Sequence, residues 1–251
     1  MLVDPSDVTG RMLVGSGIWE PHVTAVFREL LSPGDVCIDV GASIGYYTLL
    51  ASLLVGEEGH VYAFEPAPEA YEALLANVRL NGLANVTAQA TAVGSAEGHE
   101  TLYDPWVVSN VGAASMLRQP DSATHGRRSR EPLDVPVRPL TALVPEPELE
   151  RARLVKIDVE GYEIEVLRGL EAVYERGGRP AIVVEVHPTI APDAPEFVVG
   201  FCRRHGLKPH LIVDRPGDRA WAASHAELAE LAPPEELLAV QSLRYELLLV
   251  P

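Results

Sequence analysis

Asp39-Val40-Gly41-Ala42-Ser43-Ile44-Gly45-Tyr46-Tyr47-Thr48 is the stretch that decides the fold of this chain of 251 residues. A short apolar run rich in β-branched residues, 36–40, leads into it and reads as a buried strand. A helix over 44–54 leaves it. In an open parallel sheet, such a strand-to-helix turn forms one wall of a ligand crevice. The spacing is Gly-x-x-x-Gly, with Gly41 freeing the backbone to approach a ligand and Gly45 letting the helix start pack closely. Ser43 stands where a dinucleotide fingerprint needs its second glycine, and no Gly-Lys-Ser/Thr follows for a phosphate loop. The turn therefore reads as built for a nucleoside without a diphosphate. Asp39 would repel phosphate and could hold an ammonium group. Glu65, closing Val61-Tyr62-Ala63-Phe64-Glu65-Pro66, is placed to accept hydrogen bonds from both hydroxyls of a ribose.

Outward from this turn the chain alternates. A helical lead-in over 1–34 includes a helix at 23–31. Then come the strand at 36–40, the helix at 44–54, a strand at 60–64, a helix at 68–80 and a strand at 86–93. After an aperiodic loop over 105–130, strands are expected at 153–158 and 181–186, with helices at 162–170 and 194–205. Two last strands, 209–213 and 243–250, read as antiparallel neighbours at the sheet edge. Strand-helix alternation predicts an α/β architecture, a parallel sheet with helices on both faces. No internal repeat or linker divides the chain, so residues 1–251 read as one domain.

Composition narrows the function classes. With 47% apolar and 22% charged residues the chain reads as globular. A net charge of −16 argues against nucleic acid and an anionic membrane surface as partners. Arg127-Arg128-Ser129-Arg130 is the one basic cluster and reads as a solvated loop. Cys37 and Cys202 sit in apolar surroundings and read as small buried hydrophobes, which suits a reducing compartment. Without a leader-like N-terminus or a long apolar run, a cytoplasmic location is expected. A homodimer is left open as the assembly. Lys156 is one of only two lysines against eighteen arginines, which points to a buried pairing with Glu160 or Glu185.

With these residues in view, the chain resembles the FkbM-type methyltransferases. The matching stretches are 34–50, 61–66 and above all Leu154-Val155-Lys156-Ile157-Asp158-Val159-Glu160-Gly161-Tyr162-Glu163. The likeness runs from about residue 19 to 188. It implies a class I methyltransferase fold, Rossmann-like, with a seven-stranded, mostly parallel sheet whose last strand is antiparallel. It also implies S-adenosylmethionine as cofactor and methyl transfer to a hydroxyl of a natural product or sugar. Ser43 departs from the family, which more often has Asn there. The cofactor set expected on this basis is Glu20, Asp39, Gly41, Ser43, Gly45, Glu65, Ala92 and Asp158, with Glu20 closing over the methionine end.

A hydroxyl is a poor nucleophile until a base or a metal takes up its proton affinity. Asp158, Glu185 and His187 stand at the ends of the two strands that flank the reacting methyl in this fold. Glu185 and His187, two apart on a strand, share a side, and His187 suits a general base near neutral pH. The same three could instead hold a divalent cation such as Mg. Glu160 reads as structural. Trp106 and Ser115, in the 105–130 loop, are the candidate substrate contacts for a small hydroxylated acceptor. Two other classes compete: a dinucleotide-dependent oxidoreductase, and a nucleoside-binding module without catalysis.

Overall fold

The computed structural model describes residues 1–103, 114–117, 131–212, 228–230, 234–240 and 244–251. Two helices, α1 (Val8–Ser16) and α2 (Pro21–Leu30), precede β1 (Val36–Val40). The alternation follows as α3 (Tyr46–Val55), β2 (His60–Phe64), α4 (Pro68–Leu80) and β3 (Val86–Gln89). A small second sheet comes next, with strands β4 (Ala92–Val93), β5 (Gly98–Leu102) and β6 (Leu133–Arg138) in the order β4-β6-β5. Short helices α5 (Leu140–Leu143) and α6 (Glu146–Glu150) return the chain to β7 (Ala152–Ile157). Then come α7 (Glu163–Glu175), β8 (Ala181–Val186), α8 (Ala194–His205), β9 (Lys208–Ile212), β10 (Leu228–Glu230) and β11 (Tyr245–Val250).

The main sheet runs β10-β9-β11-β8-β7-β1-β2-β3. β3, β2, β1, β7 and β8 are mutually parallel, and β11 runs antiparallel to both β8 and β9. The seven expected strands are all present, and β10 adds an eighth short one at the β9 edge. Two expectations change. The last two strands do pair antiparallel, but β11 sits inside the sheet between β8 and β9. The strand expected over 86–93 divides at Ala90-Thr91, and its end joins the second sheet.

Strand periodicity sorts the side chains by face. Val36, Ile38 and Val40 of β1 join the core beneath α5, α7 and α8, whereas Cys37 joins the core beneath α2 and α3. Cys37 and Cys202 are both buried and unbridged. Among the described residues no helix is long and apolar enough to cross a membrane. The strand order reverses between β2 and β7, on either side of β1. Ligands of open α/β sheets bind at the carboxyl ends of the strands beside such a switch.

Candidate active site

A cavity opens at those carboxyl ends, with about 1180 Å³ of space including the solvent at its mouth. The turn 41–46 forms one wall and Glu65-Pro66 the next. Ala92 and Val93 follow, then Asp158 to Glu160, and Trp19 and Glu20 close it from the N-terminal helices. Gly41 does wall this space, but its missing Cβ serves the fold. At φ +81 an added Cβ would meet the Asp158 carbonyl oxygen at 1.7 Å. Gly45 also packs rather than binds: a Cβ there would meet Leu74 at 2.6 Å, and the residue lies off the cavity.

Glu65 is 6% exposed at the cavity floor. Its two oxygens accept from the backbone N–H groups of Ser43 and Ala67, each at 2.8 Å. Burial lifts its carboxyl to about 7 in spite of those two donors. Each oxygen keeps a further lone pair for an incoming hydroxyl. Glu20, Ser43 and Glu160 are the non-glycine residues with positive φ among those described, and all three line this cavity. Backbone strain of this kind gathers where function holds it in place.

The charged residues follow from strand register. Asp39 alternates with Val40, so it points with Cys37 toward α3. It accepts from Thr48 Oγ1 at 2.6 Å, is 1% exposed and does not line the cavity. The expectation that Asp39 grips the cofactor is corrected by that orientation. Asp39 instead lies beside Lys156 in the β1–β7 ladder. Lys156 is buried, stacks over the Tyr47 ring at 4.8 Å, and pairs with Asp158 Oδ2 at 2.8 Å. The expected partners Glu160 and Glu185 are thus replaced by Asp158, two residues along the same strand face. Burial would raise the Asp158 carboxyl, but the Lys156 charge, hydrogen bonds to Glu185 and Lys156 and the His187 charge together hold it below its ordinary value.

Glu185 and His187 do converge, with Nε2 at 2.8 Å from Oε2, and Glu160 approaches the same nitrogen at 3.5 Å. Burial would lower the imidazole, but the Glu185 hydrogen bond and the charges of Glu185, Glu160 and Glu163 raise it to about 9. His187 is therefore a cation at neutral pH. It lies off the cavity wall, against Glu185 and Glu160, so the residue expected as general base does not itself face the cavity. The expected cation set changes as well. Among the described residues, Glu160, Glu185 and His187 have mutual ligand spacing, as do Glu20, Glu185 and Glu246, and Asp158 belongs to neither group. A divalent cation bound in the first group would have to displace the proton between His187 and Glu185.

Glu160 is the residue that sequence reasoning passed over. Its carboxylate lines the cavity with 13% side-chain exposure, and burial and the Asp158 charge lift it to about 7. Its carbonyl accepts from Ser115 Oγ at 2.5 Å, which fixes its φ of 50°. Ser115 is 1% exposed and off the cavity. It donates to Glu160 from outside the cavity, while its neighbours Ala114 and Met116 line the space. Trp106 lies outside the described residues, as does most of the 105–130 loop. Glu20 caps α2 and accepts from the Tyr47 hydroxyl at 2.8 Å, and burial and Asp158 raise it to about 8.

These shifts have a stability consequence. Glu20, Glu65, Glu160 and Glu246 are all raised from 4.5 to between about 7 and about 8. The folded state then binds more protons than the unfolded one across that window, so stability falls as pH rises through it. His187 adds in the same direction, its contribution being lost as pH climbs through about 9. Asp158 acts oppositely and loses its contribution below its ordinary 3.8. Calorimetric melting across pH should give a Tm that is highest on the acidic side and declines from 4.5 to about 8. A Tm that rises over that window would contradict the protonated cluster.

Comparison with known proteins places this geometry. Residues 39–208 match the methyltransferase FkbM domain. The chain is 31% identical over 241 residues to the 31-O-demethyl-FK506 methyltransferase FkbM of Streptomyces tacrolimicus, covering 80% of this chain and 90% of that protein. It is 27% identical over 203 residues to the hexuronic acid methyltransferase AglP of Haloferax volcanii, covering 76% of each. A solved structure of a methyltransferase FkbM from Methylobacillus flagellatus superposes with a TM-score of 0.52 at 12% identity, over 91% of this chain and 50% of that one.

Proposed function

The chain belongs to the FkbM methyltransferase family, and from that premise we propose that it transfers the methyl group of S-adenosylmethionine to a hydroxyl oxygen of a small natural product or sugar, with Glu160 as the base. One relative's name places its methyl on an oxygen, the 31-O of a demethylated FK506. Another's names a hexuronic acid. Five acids line the described cavity against two bases, Lys156 and Arg244.

The observation that carries the reading is that one cavity is lined by two buried carboxyls, Glu65 between two backbone donors and Glu160 beside His187. The residues present fit the cofactor. Glu65 retains lone pairs for ribose hydroxyls, and the wall offers Val40, Phe64 and Val93 for a flat base. Glu20 and Asp158 face the space where an amino group and a sulfonium need negative charge. The wall has no phosphate cradle, because Lys156 is committed to Asp158. That difference separates this reading from a dinucleotide-dependent oxidoreductase. S-adenosylmethionine, when bound, supplies a methyl carbon activated by positive sulfur.

The chain's own residues supply position and the proton acceptor. Glu160 takes the hydroxyl proton as the oxygen attacks. His187, a cation against Glu160 and Glu185, keeps Glu160 ionised enough to accept it. Calorimetry should give S-adenosylmethionine binding and none for NAD. Turnover with hydroxylated acceptors should yield S-adenosylhomocysteine, which an inactive binding module would not form. Glu65→Ala should weaken S-adenosylmethionine about 10- to 100-fold, the loss of charged hydrogen bonds to ribose. Unchanged affinity in Glu65→Ala would remove that residue from the cofactor site.

A further inference from the structure

A smaller cavity of about 200 Å³ lies behind the reaction cavity, and Glu20 and Glu185 wall both. Glu246 closes its far side. In the β11–β8 ladder Glu246 stands directly opposite Glu185, and like charges in that position are destabilising. Glu20 enters from the start of α2, so that one carboxylate oxygen from each of the three lies within 4.8 Å of the other two. Countercharge is short. From β7, Lys156 is paired with Asp158, and Asp39 of β1 is a further acid on this face. His187 is held by Glu185 and Glu160, and Arg244 reaches Glu185 at 3.2 Å. The Tyr47 hydroxyl donates to Glu20 without adding charge. Carboxylates crowded in this way cannot all ionise, so they retain protons.

We infer that Glu20, Glu185 and Glu246 form a proton store tied to the charge of the cofactor, releasing a proton when a sulfonium enters the adjoining cavity and regaining one when methyl transfer leaves a neutral thioether. The inference rests on the methyltransferase reading. Its balance closes. The acceptor O–H breaks and a C–O bond forms, the C–S bond breaks with its electron pair left on sulfur, and the proton stays in the cluster. The steps run in order: His187 Nε2 first gives its proton to Glu185 Oε2 at 2.8 Å, which frees the nitrogen lone pair, and it then takes the proton of Glu160 across 3.5 Å. Total charge in the site is thereby the same before and after transfer. Burial, with Asp158 beside Glu20 and Glu185 beside Glu246, places the two carboxyls at about 8 and about 7, where a neighbouring cation displaces protons near neutral pH.

The test is calorimetry of the full chain at a pH between those two values, in buffers of different ionisation enthalpy. S-adenosylmethionine and S-adenosylhomocysteine are titrated separately. Net proton release is expected with S-adenosylmethionine and little with S-adenosylhomocysteine. Glu246→Gln, checked by its melting curve, should bind both compounds with much of the release lost, and Glu246→Asp should retain it. Equal release for the two compounds, or undiminished release in Glu246→Gln, would overturn the store. So would displacement of the same protons by Mg²⁺ alone, which would make the three carboxylates a cation site. Binding of neither compound would instead overturn the cofactor reading on which the inference stands.

Discussion

Lys156→Met is expected to lower the unfolding free energy by about 3–5 kcal/mol, the usual cost of removing one partner from a buried ion pair. Lys156 is 4% exposed and has Asp158 at 2.8 Å, Asp39 beside it in the ladder and the Tyr47 ring beneath it. Methionine fills nearly the same volume, so the loss is electrostatic rather than a cavity. It leaves Asp158 and Asp39 buried near each other with no cation between them. The pH dependence follows from the sign of the Asp158 shift. Its carboxyl is held below 3.8 in the folded protein, so it contributes stability above that value and loses it on acidification. Without Lys156 the carboxyl rises, and the deficit should shrink as pH falls toward 3.8. Urea unfolding of both proteins at neutral and acidic pH measures this. Equal stabilities at neutral pH would refute the pairing as a structural element, and a deficit independent of pH would refute its electrostatic origin.

The partner of Lys156 shows where sequence reading stops. Lys156 and Asp158 are two apart, which puts them on one side of a strand, and that spacing alone could have selected Asp158 over Glu160. The same rule applied to Cys37 and Asp39 would have turned Asp39 away from the cavity. Regular elements were legible because burial imposes their period: α4, α8, β2 and β8 have the bounds the apolar pattern predicts. β5 was not legible because four of its five residues are exposed and polar. β6 alternates cleanly in burial, but Pro136 interrupts its apolar signal. Glu65 and Ser43 both line the crevice, yet the hydrogen bond from Ser43 N–H to Glu65 comes with a φ of 49° that no local propensity favours. The surroundings of His187 were not legible for a further reason. A histidine's charge is set by the sum of its neighbours, and Glu160, Glu163 and Glu185 reach it from two separate segments.

Glu160→Gln should reduce kcat about 100- to 10,000-fold, the range for removal of a general base, while leaving S-adenosylmethionine affinity nearly unchanged. Glutamine keeps the shape and the backbone turn held by Ser115, so the change is confined to proton acceptance. In the native enzyme kcat/KM should rise with pH along a limb centred at about 7, the value of this carboxyl in the free protein. That limb should vanish in Glu160→Gln. His187→Gln supplies the complementary measurement. Its positive charge lowers Glu160, so its removal should shift the limb to higher pH without abolishing it. A purely structural role for His187 would depress kcat at every pH and leave the midpoint in place. If Glu160→Gln turned over at the native rate while Glu20→Gln did not, the proton would be leaving through the N-terminal helix instead. The base would then be the carboxyl that accepts from Tyr47, and the order of the two clusters along the proton path would be reversed.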